Sequence, residues 1–182
     1  MEDYVRILDH LPQGHPERSR FEREPIAYAL GEDEFKVFEL SPKEGVTLIA
    51  GDRAYIGKDA EKRDAIQHVK RRIGFEELTT SAQNELPLII AQVVKEKEDR
   101  FVRFFNEAQA ITTRFHMLEL LPGLGKKTMW AILEERKKGP FQSFEDLAKR
   151  VPMVHHPEKL LAKRIEMEIS NLGEKYHLFA AR

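Results

Sequence analysis

The sequence predicts an α+β chain in which a small β-barrel precedes an all-α domain. Three observations carry that prediction. Short runs rich in β-formers, broken by turn residues, fill the first third of the chain. From Pro87 onward apolar residues recur at three- and four-residue steps. The change from one pattern to the other begins near residue 58 and is complete near residue 80. The predicted domains are residues 1–75, a barrel with a terminal helix, and residues 76–182, a helical domain.

In the first domain, "YVRIL" (4–8) reads as a strand, and "PIAYALGEDEFKVFELSP" (25–42) as two strands around a turn of Gly31, Glu32, Asp33 and Glu34. Pro42 to Gly45 marks another turn. "VTLIAGDRAYIGK" (46–58) then gives an apolar strand, a break at Gly51 and Asp52, and a short strand. Short strands with frequent turns suit a small barrel or sandwich. Residues 10–25, "HLPQGHPERSRFEREP", form a polar loop of a length that is usually functional or disordered. After Gly57 the spacing turns helical: Asp59 reads as a cap, Ile66, Val69 and Ile73 share a face, and Gly74 is the stop.

In the second domain, Ile90, Val93, Val94, Phe101, Phe104, Phe105 and Ala108 make one long helix or two nearly continuous ones, with "KEKEDR" (95–100) as a solvated or bending segment. Further helices are expected at 113–121, 128–138, 144–150 and 157–172. Ile111, Phe115, Leu118 and Leu121 form an apolar stripe that Trp130 and Leu133 continue. Ser143 with Asp146 opens the third of these helices as a capping box, and Pro157 and Gly173 bracket the fourth. "LLPGLG" (120–125) repeats weakly as "RVPMVH" (150–155), with Pro122 opposite Pro152 and Leu124 opposite Val154.

Composition narrows the function classes. No apolar run approaches the roughly 18 residues of a membrane helix, and acids precede any apolar run at the N-terminus, so neither a membrane nor a secretory signal is expected. The absence of cysteine excludes disulfides, thiolate catalysis and Cys-based zinc sites. A cytoplasmic protein is the plain reading. Net charge is −1, which is no polyanion-binding signature, but residues 114–150 hold eight bases against five acids. That local surplus permits nucleic-acid contact without requiring it.

The stretch "LLPGLGKKT" (120–128) is the richest in chemistry. A P-loop would need glycine at 120 and Ser or Thr at 127, where Leu120 and Lys127 stand; a dinucleotide fingerprint would need glycine at Thr128. A tight hairpin between two helices fits instead. Gly123 and Gly125 allow unusual backbone angles and close approach, Leu124 tucks between the helices, and the amides from Gly125 to Lys127 open the next helix. Such amides form an anion site, to which Lys126 and Lys127 add charge, and it suits a phosphodiester backbone.

Helix, "LPGLGKKT" and a helix ending in "ILEER" together resemble the helix-hairpin-helix motif of DNA-repair and RNA-processing proteins. The resemblance implies a first copy at 113–138 and a degenerate second copy at 144–172, where Met153 and His155 stand in place of glycines. It also implies a potassium or sodium ion held by the backbone carbonyls of Glu119, Leu121 and Leu124. With "AGDRAYIGK" and the β-rich first half, the whole chain resembles an uncharacterised, mainly archaeal family with an OB-fold-like domain followed by a tandem helix-hairpin-helix domain. That resemblance implies nucleic-acid binding, RNA over DNA, and a link to translation or ribosome biogenesis.

The expected contacts are therefore Gly123, Leu124, Gly125, Lys126, Lys127 and Thr128, with Arg18 and Arg20 from the long loop and Lys70 and Arg71 from the basic run at 62–72. Each has a plainer reading. The loop arginines alternate with Glu17, Glu22 and Glu24, and Lys70 and Arg71 suit a helix C-terminus. Tyr28, Phe35, Phe38 and Tyr55 would stack bases or, for at least half of them, fill the core. His155 and His156 with Glu158 suggest a metal site, but adjacent side chains diverge and no further ligand falls at a regular spacing. No catalytic constellation is visible. The expectation is a non-catalytic nucleic-acid-binding protein, with a protein–protein adaptor or a structure-specific DNA-binding protein as the alternatives.

Overall fold

The computed structural model describes residues 1–171 and 173–182, so the helix expected at 157–172 and the second hairpin copy end on a residue outside that range. Among the described residues the chain is a mixed α+β protein with five α-helices and a curled five-stranded antiparallel half-barrel. It packs as two compact units: Met1–Ile89 with Met167–Arg182, and Ile90–Glu166. The last strand of the five-stranded sheet ends at Ile73 and the first α-helix begins at Thr80, on either side of residues 75 and 76. No described helix is long and apolar enough to cross a membrane.

In the first unit the strands are β1 (Tyr4–Leu11), β2 (Ile26–Gly31), β3 (Val37–Pro42), β4 (Arg53–Tyr55) and β5 (Ile66–Ile73). Their order is β4-β1-β2-β3-β5, with β4 and β5 at the two edges. Val5, Ile7, Ala27, Ala29, Leu40, Ala54 and Ile66 alternate inward on these strands and form the core with Leu48 and Ile56.

Two expectations fail here. The helix after Asp59 is strand β5, preceded by a single 3-10 turn (Ala60–Lys62) that Asp59 does cap. The misleading spacing comes from two register shifts against β3. Val69 pairs with Leu40 and Arg71 with Glu39, leaving Lys70 between them; Ile66 and His68 likewise leave Gln67 between them. Each extra residue resets the two-residue alternation, so apolar positions fall three and four apart. The apolar strand at 46–50 is also absent. Asp52 bonds back to Ile49, its backbone N–H to the Ile49 carbonyl at 3.1 Å and its carboxylate to the Ile49 N–H at 2.9 Å. The segment turns there, burying Leu48 and exposing Ile49.

Helix α1 (Thr80–Glu96) starts well before Pro87, because the Thr79 hydroxyl caps it by accepting the Ala82 N–H at 3.1 Å. Helix α2 (Glu98–Glu107) follows after a break at Lys97, the nearly continuous pair the spacing allows.

The second unit holds the larger correction. Residues 113–121 are not a helix. A short hairpin of β6 (Ala110–Thr112) and β7 (Phe115–His116) leads into one 3-10 turn, Met117–Leu120. The β-branched run of Ile111, Thr112 and Thr113 disfavours a helix start. The His116 imidazole then accepts the Leu118 N–H at 3.0 Å, and Glu119 accepts the His116 N–H at 2.8 Å, closing a cap around that single turn. Helices α3 (Lys126–Lys137), α4 (Phe144–Arg150) and α5 (Pro157–Ser170) complete the set. Met129 and Ile132 are the buried face of α3, which turns Trp130 outward at 59% exposure instead of into the expected stripe.

Much of the positive surplus of residues 114–150 is internal cement. Arg136 donates to the carbonyls of Phe105 and Ala108 at 3.1 and 2.9 Å, and burial pushes its pKa down. Arg150 donates to the carbonyls of Glu135 and Gly139, both at 2.8 Å, and lies over the Phe141 ring.

Candidate functional site

The hairpin at 120–128 is built from the residues up. Leu121 and Leu124 are buried, and the Leu124 N–H closes a turn on the Leu121 carbonyl at 3.1 Å. Gly123 lies in the left-handed region at φ +86, which this turn demands and a side chain resists. Gly125 is different. Its φ of −89 is ordinary, and a Cβ there would meet nothing within 4 Å. Neither conformation nor internal packing asks for glycine at this position. Its carbonyl accepts the Met129 N–H, the first bond of α3, and no side chain caps the helix. The leading amides of α3, at Lys126, Lys127 and Thr128, are the helix's intrinsically unpaired donors.

The two lysines do different work. The Lys126 ammonium sits 2.9 Å from the Glu119 carboxylate and 3.0 Å from the Arg114 carbonyl, binding α3 to the turn before it. That ammonium, with the His116 N–H, holds the Glu119 carboxyl below its usual range. Lys127 is exposed, with no ion pair among the described residues. Trp130 follows three residues after Lys127 and four after Lys126, so it rises from the same face of α3.

The internal repeat has a geometric counterpart. Val154 donates to the Val151 carbonyl at 2.9 Å, as Leu124 does to Leu121, and Val151 and Val154 are buried. Here the turn lies between two full helices, α4 and α5, and it exposes Met153 where the first turn carries Gly123.

The expected contacts of the first unit are largely spoken for. Arg18 and Arg71 converge on the buried Glu39 carboxylate at 2.8 and 3.0 Å, and Arg71 also meets Glu77 at 2.6 Å. Lys70 pairs with Glu24 at 2.9 Å. Arg20 is exposed. Of the four candidate stacking aromatics, Tyr28 and Phe35 are core residues, with Phe38 and Tyr55 partly buried. Sequence reasoning passed over Tyr4 and Arg53, which the β1–β4 register sets beside Tyr55 on one face. The two-residue step from Arg53 to Tyr55 was the available signal. No cluster of three or more metal-ligating side chains occurs among the described residues.

Fold and hairpin thus define a two-unit α+β protein in which helix α3 starts at a glycine with no side-chain cap, beside lysine and tryptophan. Its relatives give that class a family. Residues 1–181 match the family described as "Protein of unknown function (DUF655)", and the chain belongs to it. It is 48% identical over 179 residues to the uncharacterized protein MJ0038 of Methanocaldococcus jannaschii, covering 98% of this chain and 79% of that one. The crystal structure of Af1531 from Archaeoglobus fulgidus, a member of the same family, is similar at a TM-score of 0.90 and 50% identity, covering 99% of this chain and 100% of that one.

Proposed function

We propose that this protein binds nucleic acid in the cytoplasm without cleaving it, RNA in preference to DNA, through the phosphate backbone at residues 123–128. The supporting observation is Gly125. An unencumbered glycine opens a helix whose leading amides have no side-chain cap, beside an exposed lysine with no ion pair among the described residues. A helix start of that kind attracts phosphate through its N–H groups and dipole. On this reading the hairpin is a helix-hairpin-helix variant in which a 3-10 turn replaces the first helix, and the half-barrel is an OB-like module. The carbonyls of Glu119, Leu121 and Leu124 are oxygen donors suited to a potassium or sodium ion. The Leu121 carbonyl also accepts the Leu124 N–H.

The test is fluorescence anisotropy with matched RNA and DNA oligonucleotides across a salt series, comparing wild type with Lys127→Glu. The variant is expected to bind more weakly, with a salt slope shallower by about 0.7 for single strands. Equal affinity and equal slope would refute the assignment. A second reading, a protein-docking adaptor, draws on the exposure of Trp130 at 59% and Met153 at 43%. Undetectable nucleic-acid binding at low salt would favour it.

A further inference from the structure

We propose that the β1–β4 edge of the half-barrel is a stacking site for an unpaired nucleobase, which makes single-stranded nucleic acid the ligand form this protein selects. The inference rests on the nucleic-acid reading above but on residues of the first unit alone.

Register places Tyr4 opposite Tyr55 and Arg6 opposite Arg53. The Arg53 guanidinium lies over the Tyr4 ring, 3.7 Å from its centroid, and the Tyr55 ring meets Tyr4 edge-on at 5.4 Å. Arg53 is fixed in its plane by a fork to Glu32, Nε to one carboxylate oxygen at 2.9 Å and NH2 to the other at 3.1 Å. Glu32 is buried and already has a buried counter-ion, since Arg6 Nε donates to it at 2.6 Å. Burial alone would raise the Glu32 pKa, yet the bonds from Arg53 and Arg6 bring it below its usual value, so the carboxylate stays charged.

One carboxylate therefore serves two arginines. Arg53 is thereby held flat, with its side chain 49% exposed. Held by a buried carboxylate on one side, the guanidinium is half exposed on the other and lies over an exposed tyrosine. This creates a planar cationic platform of the sort on which bases stack irrespective of sequence. The platform forms the wall of a cavity of about 390 Å³ that Tyr55, Lys62 and Asp64 also line. That volume lies within the range of small-ligand clefts. Lys62, 70% exposed and only loosely paired with Asp59 at 3.9 Å, adds a cation to the lining of the same cavity.

Two variants and a crosslink test this. Arg53→Lys keeps the charge but loses the planar face, and Tyr4→Leu keeps apolar bulk but loses the ring. Anisotropy would compare one oligonucleotide sequence as single strand and as duplex, with thermal melts followed by circular dichroism to establish folding. Each variant is expected to weaken single-strand binding about tenfold while changing duplex binding less than about twofold. Irradiation of a 5-iodouridine single strand is expected to mark Tyr4 or Tyr55. Unchanged single-strand affinity in Arg53→Lys, or crosslinks confined to other residues, would overturn the stacking site. If Tyr4→Leu does not fold, Arg53→Lys and the crosslink decide. If wild type binds no oligonucleotide, both this site and the nucleic-acid reading fall. If it binds and only Lys127→Glu weakens it, the stacking site alone falls.

Discussion

Replacing Gly125 by aspartate separates what stabilises the fold from what holds a phosphate, because the two effects have opposite signs. Gly125 occupies the N-cap of α3 with an extended backbone, φ −89 and ψ 179, that any residue adopts, and a Cβ there meets open space. Aspartate is among the best N-cap residues and exceeds glycine by a few tenths of a kcal/mol. Its charge at the positive end of the 12-residue α3 adds roughly 0.3–1 kcal/mol. Gly125→Asp is therefore expected to stabilise the protein by about 1 kcal/mol, a rise in Tm of roughly 2–4 °C for a chain of this size. The same carboxylate occupies the amides that would receive a phosphate and repels it. Single-strand affinity at low salt should drop at least about tenfold, with a slope shallower by about 0.7 for the lost contact. Differential scanning calorimetry and anisotropy on one preparation give both numbers. A raised Tm with wild-type affinity would refute phosphate binding at this helix start, and a lowered Tm would refute the cap geometry.

Gly123→Ala is the converse case. At φ +86 a β-carbon is strained, so the variant should lose about 1–2 kcal/mol and melt roughly 3–6 °C lower, seen by circular dichroism. Glu39→Gln removes the buried charge that anchors Arg18 and Arg71. It should cost about 1–3 kcal/mol and speed tryptic cleavage at Arg18 and Arg20, and an unchanged digestion rate would count against that anchor. The Glu119 carboxyl has a depressed pKa, first through Lys126 and then through the His116 N–H. Its contribution is present above the unfolded carboxylate value and is lost as pH falls through the lower folded one. Lys126→Ala should accordingly flatten the acid side of the stability profile, and a profile parallel to wild type in urea titrations from pH 5 to pH 3 would contradict the bridge.

The local chemistry of the hairpin was more legible in the sequence than the elements around it. Proline, leucine and glycine dictate a turn through short-range sterics, which the order of residues shows directly. The same holds for the turn at Gly31 and the Ser143 cap, where the hydroxyl accepts the Asp146 N–H at 2.9 Å. Strand β5 has the spacing of a helix because its bulges depend on a partner, β3, that lies far away in the chain. Residues 113–121 failed for a related reason. Phe115, Leu118 and Leu121 have helical spacing, but His116 and Glu119 turn their side chains onto the backbone and stop the helix after one turn. Tyr4 and Arg53 were missed because the register of β1 with β4 brings them together, and no window of sequence contains both.

The division of the chain into units also sets an order in time. Met167–Arg182 leaves the ribosome after the whole of the second unit, yet it belongs to the first. Arg72 on β5 donates to the carbonyls of Ala181 and Arg182, and Ala181 donates to the Glu34 carbonyl at 2.8 Å. The buried Glu168 carboxylate gathers the amides of Leu178, Phe179 and Ala180 to shape that segment. Synthesis of the half-barrel thus begins before that of the hairpin unit and is completed after it, and its edge beside Arg72 stays unsealed until the hairpin unit has emerged.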